Sequence, residues 1–141
     1  MQVEHALEQG DCQSLMALYD RCAAQATGMD ATSHPVVYPN DIPEPELGLL
    51  RRVAEQGRRR AAAALAPGEA IYYLNDGFEG GALVFETPGA EVRPRAGLLV
   101  AFPSDERFVH EVLPVTAGRR YSLALWFTRQ PAFALAGFHS D

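Results

Sequence analysis

The sequence predicts a mainly β domain with two helices ahead of it, and three observations predict it. Before residue 66, apolar residues recur twice at helical spacing. After residue 69, the chain breaks into short apolar runs separated by Gly- and Pro-containing turns. The last of those runs alternates between two faces, as a strand does. Residues 1–141 are expected to form one domain, with 1–66 as a helical buttress and 69–129 carrying the strands.

In the first helix Asp11 is the expected N-cap, and Leu15, Leu18, Tyr19 and Cys22 follow on one face. Residues 28–45 are rich in Pro, Asp, Asn and Ser, with a short strand candidate at Val36, Val37 and Tyr38. A second helix is expected over 46–65, with Leu49, Leu50, Val53 and Ala54 on its apolar side. Gly57 interrupts it at a cost of about 1 kcal/mol, so a bend or an early end is expected there. Strands are then expected at 70–74, 82–86, 91–94, 98–102, 108–113 and 120–128.

The stretch HEVLPVTAGRRYSLALWF, from His110 to Phe127, places a histidine at the end of one apolar run and an arginine ten residues later. Between them, residues 115–118 read as a turn joining two antiparallel strands. In the second strand Arg120, Ser122, Ala124 and Trp126 share one face, and Tyr121, Leu123, Leu125 and Phe127 share the other. A cation on an inward strand face is costly unless an anion meets it. A surface hairpin with an exposed arginine is the alternative from spacing alone.

Composition excludes several classes. With 48% hydrophobic and 21% charged residues the chain is ordinary for a soluble fold. The net charge of −6 offers nucleic acid no general attraction. Arg51, Arg52, Arg58, Arg59 and Arg60 cluster within the second helix among acids and alanines, which reads as a solvated face. Cys12 and Cys22 lie about 15 Å apart along one helix, too far for a disulfide. No apolar run approaches membrane-spanning length, and Glu4, His5 and Glu8 stand where a signal peptide would be apolar. A cytoplasmic protein with no membrane or nucleic-acid partner is expected. Nothing in the sequence sets an oligomeric state.

Three blocks occur in order: EAIYYLNDGFEGGALVF over 69–85, EVRPRAGLLVAF over 91–102, and the His110 stretch. Together they resemble the distal half of an Fe(II)/2-oxoglutarate dioxygenase of the prolyl-hydroxylase group, closest to its leprecan-like (prolyl 3-hydroxylase) branch. The resemblance covers about residues 69–129. It implies a double-stranded β-helix, or jelly roll, with eight strands, of which six candidates are evident after residue 69. It also implies site residues. His110 would be the distal histidine ligand of Fe(II). Arg120 would bind the C5 carboxylate of 2-oxoglutarate, with Ser122 beside it and the Tyr73 phenol on the same carboxylate. Ile71, Val112 and Trp126 would line the cosubstrate pocket. Such a dicarboxylate needs a guanidinium at its far end and apolar walls along its length.

The family's remaining two ligands, a histidine and a carboxylate, come from a His-x-Asp motif shortly before the YYLN strand. Here that window reads VAEQG followed by RRRAAAAL, without histidine or aspartate. His5, His34 and His139 lack an acid two residues on. Three accounts follow. Residues between Leu65 and Glu69 are missing, with a backbone break expected between Leu65 and Ala70. Or the chain lacks the segment and keeps a barrel without a working metal site. Or the ligands come from elsewhere, such as His34 with Asp41. The first is favoured by the strand count. The expected function is an Fe(II)- and 2-oxoglutarate-dependent hydroxylation of an unactivated C–H bond, yielding succinate, on a prolyl residue or a small amino-acid-like substrate. The alternative is a jelly-roll binding module that is catalytically inactive.

Overall fold

Alternation along three neighbouring strands divides the interior into two cores. The computed structural model describes residues 2–29, 34–65, 68–86, 89–127 and 134–140. In chain order come β1 (Gln2–Val3), α1 (Gln9–Cys22), β2 (Gly28–Met29), β3 (Pro35–Val37), α2 (Leu47–Leu65) and β4 (Gly68–Tyr73). Then follow β5 (Glu79–Gly80), β6 (Leu83–Phe85), β7 (Glu91–Val92), β8 (Leu99–Pro103), β9 (His110–Val112), β10 (Val115–Ala117), β11 (Tyr121–Phe127) and β12 (Ala134–Ser140). The large sheet runs β1-β8-β4-β11-β12-β3-β2, and a small one runs β7-β6-β9, with β10 and β5 forming a ribbon.

From β4, β8 and β11, the side chains of Ala70, Tyr72, Leu99, Ala101, Leu123 and Leu125 enter a core shared with both helices. Leu15, Leu18, Tyr19, Leu50 and Val53 meet them there. The opposite faces of β4 and β8 offer Ile71, Tyr73, Val100 and Phe102, which pack with Leu83, Phe85 and Val92 of the small sheet. Two sheets closed over an apolar interior, with helices outside, are the layers of a jelly roll.

Several local expectations change. Helix α1 begins at Gln9 behind Glu8, not at Asp11. Asp11 lies in the first turn and receives both terminal nitrogens of Arg52, at 3.0 and 3.2 Å. Its charge still suits a helix start. Helix α2 passes through Gly57 without ending. A Cβ at Gly57 would stand 2.7 Å from Leu125 Cδ1 and 2.9 Å from Tyr72 Cε2, so this glycine lets the helix approach the sheet. Gly57→Ala should therefore lower the melting temperature by several degrees. With contacts this short the overpacking cost, up to about 3 kcal/mol, outweighs a helix-propensity gain of about 1 kcal/mol. A thermal melt followed by circular dichroism checks this, and a clear rise would contradict it.

The expected hairpin between the His110 and Arg120 runs is not formed. Strand β9 pairs with β6, whereas β11 pairs with β4 and β12. Residues 115–117 are not a turn but form β10, paired with β5. The connection crosses from one sheet to the other, so His110 and Arg120 sit on different layers. The N-terminal part also adds β1, β2 and β3 to the large sheet beyond its helices.

The expected backbone break falls on residues 66 and 67, which lie outside the described residues. Helix α2 reaches Leu65 and β4 begins at Gly68. Among the described residues, β7 and β9 are the edges of the small sheet. The arginine cluster makes exposed ion pairs: Arg51 with Glu44, Arg52 with Asp11, and Arg58 and Arg59 with Glu55. Cys12 and Cys22 are buried and unbridged. Among the described residues, no helix is long and apolar enough to cross a membrane.

Candidate active site

Antiparallel register brings the predicted residues onto one wall. Tyr73 stands opposite Ser122, Ile71 opposite Ala124, and Glu69 opposite Trp126. Because alternate residues share a face, all six line one cavity of about 150 Å³, together with Arg120 and, from β9, Val112. That is space for roughly five waters or one small organic molecule.

Arg120 is 4% exposed although charged. Its Nη1 donates to the Gly81 carbonyl at 2.9 Å. Gly81 has φ +71°, and a Cβ there would lie 3.1 Å from the same nitrogen. The second glycine of the EGG run thus supplies both a left-handed backbone and close approach to the guanidinium. Asn75 fixes the strand start: its Oδ1 accepts from the Tyr121 N–H at 2.9 Å, and its Nδ2 donates to the Arg119 carbonyl at 2.7 Å. Gripping the backbone on both sides of Arg120, Asn75 aims that side chain inward. Its position directly after the YYL strand was the available signal, and sequence reasoning gave it no role.

His110 is not among the residues that line this cavity; from the small sheet it faces Glu69, which is. Its ring lies against Phe102 and Phe85, with centroids 4.7 and 5.9 Å away. Its Nδ1 is 3.0 Å from the Phe108 carbonyl. Its Nε2 is 3.7 Å from Glu69 Oε2. The Glu69 carboxyl, only 16% exposed, is raised above the usual carboxylate range by burial, and the nearby His110 opposes that rise. Sequence reasoning missed Glu69, although it continues the Ile71–Tyr73 face two residues back.

His34 and Asp41 are not brought to this cavity. His34 precedes β3, which is separated from β11 by β12. Asp41 accepts from the Tyr38 N–H at 2.9 Å and from Thr27 Oγ1 at 3.0 Å. The first of these holds its carboxyl below the ordinary range. Among the described residues, no group of three His, Cys, Asp or Glu side chains converges.

Known proteins resemble this chain in sequence and in fold. Residues 52–128 match the family described as the 2OG-Fe(II) oxygenase superfamily. Prolyl 3-hydroxylase 3 of Mus musculus is 42% identical over 104 residues, covering 70% of this chain and 13% of that protein. Prolyl 3-hydroxylase 2 of Homo sapiens is 33% identical over 106 residues, covering 72% and 14%. The chain thus spans a small fraction of the length of these relatives. Among solved structures, the viral collagen prolyl hydroxylase of Paramecium Bursaria Chlorella virus-1, in complex with 2OG, superposes with a TM-score of 0.63 at 11% identity, covering 98% of this chain and 94% of that one. A Pseudomonas putida prolyl-4-hydroxylase gives 0.59 at 22% identity, covering 98% and 90%. Both share the jelly-roll fold. On the family match and the identity to the prolyl 3-hydroxylases, the chain belongs to the 2OG-Fe(II) oxygenase superfamily, whose cofactors are Fe(II) and 2-oxoglutarate.

Proposed function

We propose that this chain is a 2-oxoglutarate-dependent hydroxylase domain that takes 2-oxoglutarate into the Arg120 cavity and acts on a prolyl or similar amino-acid substrate. The observation that carries the reading is a buried guanidinium on the same wall as a phenol and a hydroxyl. Arg120 binds the C5 carboxylate, and Tyr73 and Ser122, cross-strand neighbours, add hydroxyl donors. Ile71, Val112 and Trp126 exclude water along the chain of the cosubstrate. Asn75 and Gly81 hold Arg120 in place.

The fit to the metal is different. The family's set of two histidines and one carboxylate is not assembled by the described residues, which bring one histidine and one carboxylate together. When bound, Fe(II) supplies the oxygen chemistry that couples decarboxylation of 2-oxoglutarate to hydroxylation. That same shortage favours a second reading, an inactive module that keeps the anion pocket.

Incubation with Fe(II), 2-oxoglutarate, oxygen and a proline-containing peptide separates the readings. The hydroxylase reading expects succinate and a hydroxylated peptide in equal amounts. Saturable 2-oxoglutarate binding without succinate would establish the binding module instead.

A further inference from the structure

We propose that the Arg120 cavity has two poles and binds an amino acid whose carboxylate meets Arg120 and whose ammonium meets Glu69 and Trp126. This goes beyond the cosubstrate reading, since it concerns a second class of ligand that competes with 2-oxoglutarate for the same guanidinium. Three observations converge.

The first is polarity along the sheet. Glu69 and Arg120 both line the cavity. Glu69 lies four residues before Tyr73, about 13 Å along β4. Arg120 lies two residues before Ser122, past the opposite, Tyr73 end. Between them the wall is Ile71 and Ala124. A cation at one end, an anion at the other and an apolar stretch between them match a short carbon chain with opposite charges at its ends.

The second is the burial of both charges. Arg120 is 4% exposed, and the Glu69 side chain 16%. The Gly81 carbonyl orients Arg120 without cancelling its charge, because that acceptor is neutral. Glu69 faces His110 Nε2 at 3.7 Å, too far for a hydrogen bond. A carboxylate withdrawn from water is costly unless a cation meets it. A ligand bringing both a carboxylate and an ammonium satisfies the two poles together.

The third is the neighbour of Glu69. Trp126 stands directly opposite it on β11 and lines the same cavity. Cross-strand partners on one face hold their Cβ atoms about 5 Å apart. An indole attracts an ammonium through its π-face, and the carboxylate beside it adds a formal charge. This end therefore selects a cation. 2-Oxoglutarate brings a second carboxylate, a like charge beside Glu69, and needs a cation with it. An amino acid carries its own. At the other end Arg120, with Tyr73 and Ser122 on the same wall, selects the carboxylate.

The test is calorimetric titration of the chain with 4-aminobutanoate, 5-aminopentanoate and 6-aminohexanoate, each beside its parent carboxylic acid. At least one amino acid should bind at least tenfold more tightly than its parent and displace 2-oxoglutarate. That preference should be lost in Glu69→Gln, and all binding should weaken at least tenfold in Arg120→Ala. Circular dichroism checks each variant's fold. Equal affinity of the wild-type chain for every amino acid and its parent would overturn the proposal, with no variant needed. So would a preference kept in folded Glu69→Gln. A wild-type chain that binds 2-oxoglutarate but none of the amino acids would also overturn it, and would leave the cosubstrate reading intact. Amino-acid binding that depends on both Glu69 and Arg120, without any 2-oxoglutarate binding, would uphold the proposal and sink the cosubstrate reading.

Discussion

His110→Ala should reduce succinate formation to background while 2-oxoglutarate binding stays within a few-fold of wild type. The reason is geometric. Among the described residues one histidine and one carboxylate approach each other beside the cavity, so His110→Ala removes the one nitrogen donor that the proposed reading gives to Fe(II). On the proposed reading the cosubstrate's distal carboxylate is held by Arg120, which precedes β11 of the large sheet, and does not depend on the imidazole. Succinate release measured beside equilibrium 2-oxoglutarate binding checks both halves. Turnover equal to wild type would remove His110 from the metal site.

Arg120→Ala should raise the 2-oxoglutarate concentration needed for half-maximal succinate formation by at least about tenfold. A charge-assisted hydrogen bond is worth about 1.5–3 kcal/mol, and each 1.4 kcal/mol is a factor of ten. Arg120→Lys should recover little, since an ammonium cannot reproduce the fork that reaches both a carboxylate and the Gly81 carbonyl. Metal binding should survive both changes. An unchanged cosubstrate dependence in Arg120→Ala would contradict the assigned role.

Much of the site was legible because alternation is a local property. Once the Arg120 run is a strand, Ser122, Ala124 and Trp126 must share its face, and the YYLN block places Tyr73 and Ile71 by the same rule. What alternation cannot specify is which strands pair. Residues 115–117 look like a turn in isolation, yet they pair with residues 79–80, more than thirty positions away. Pairing of that kind depends on tertiary closure of the barrel. Gly57 illustrates the same limit. Its helical cost is visible in the sequence, but its use, admitting Leu125 and Tyr72 against the helix, exists only in the packed structure. Asp11 reads as a cap from its neighbours and is claimed instead by Arg52, forty-one residues away. Glu69 was overlooked for a related reason. An acid at the start of a strand looks solvated until its cross-strand partner, Trp126, and the facing His110 show that it is not.

On the proposed reading, the cavity recognises the distal carboxylate of 2-oxoglutarate through Arg120. Calorimetric titration of the chain with 2-oxoglutarate and with 2-oxopentanoate, which keeps the keto acid but lacks that carboxylate, tests it directly. The wild-type chain should bind 2-oxoglutarate at least tenfold more tightly, with the preference largely lost in Arg120→Ala. Equal affinity of the wild-type chain for the two acids would contradict it.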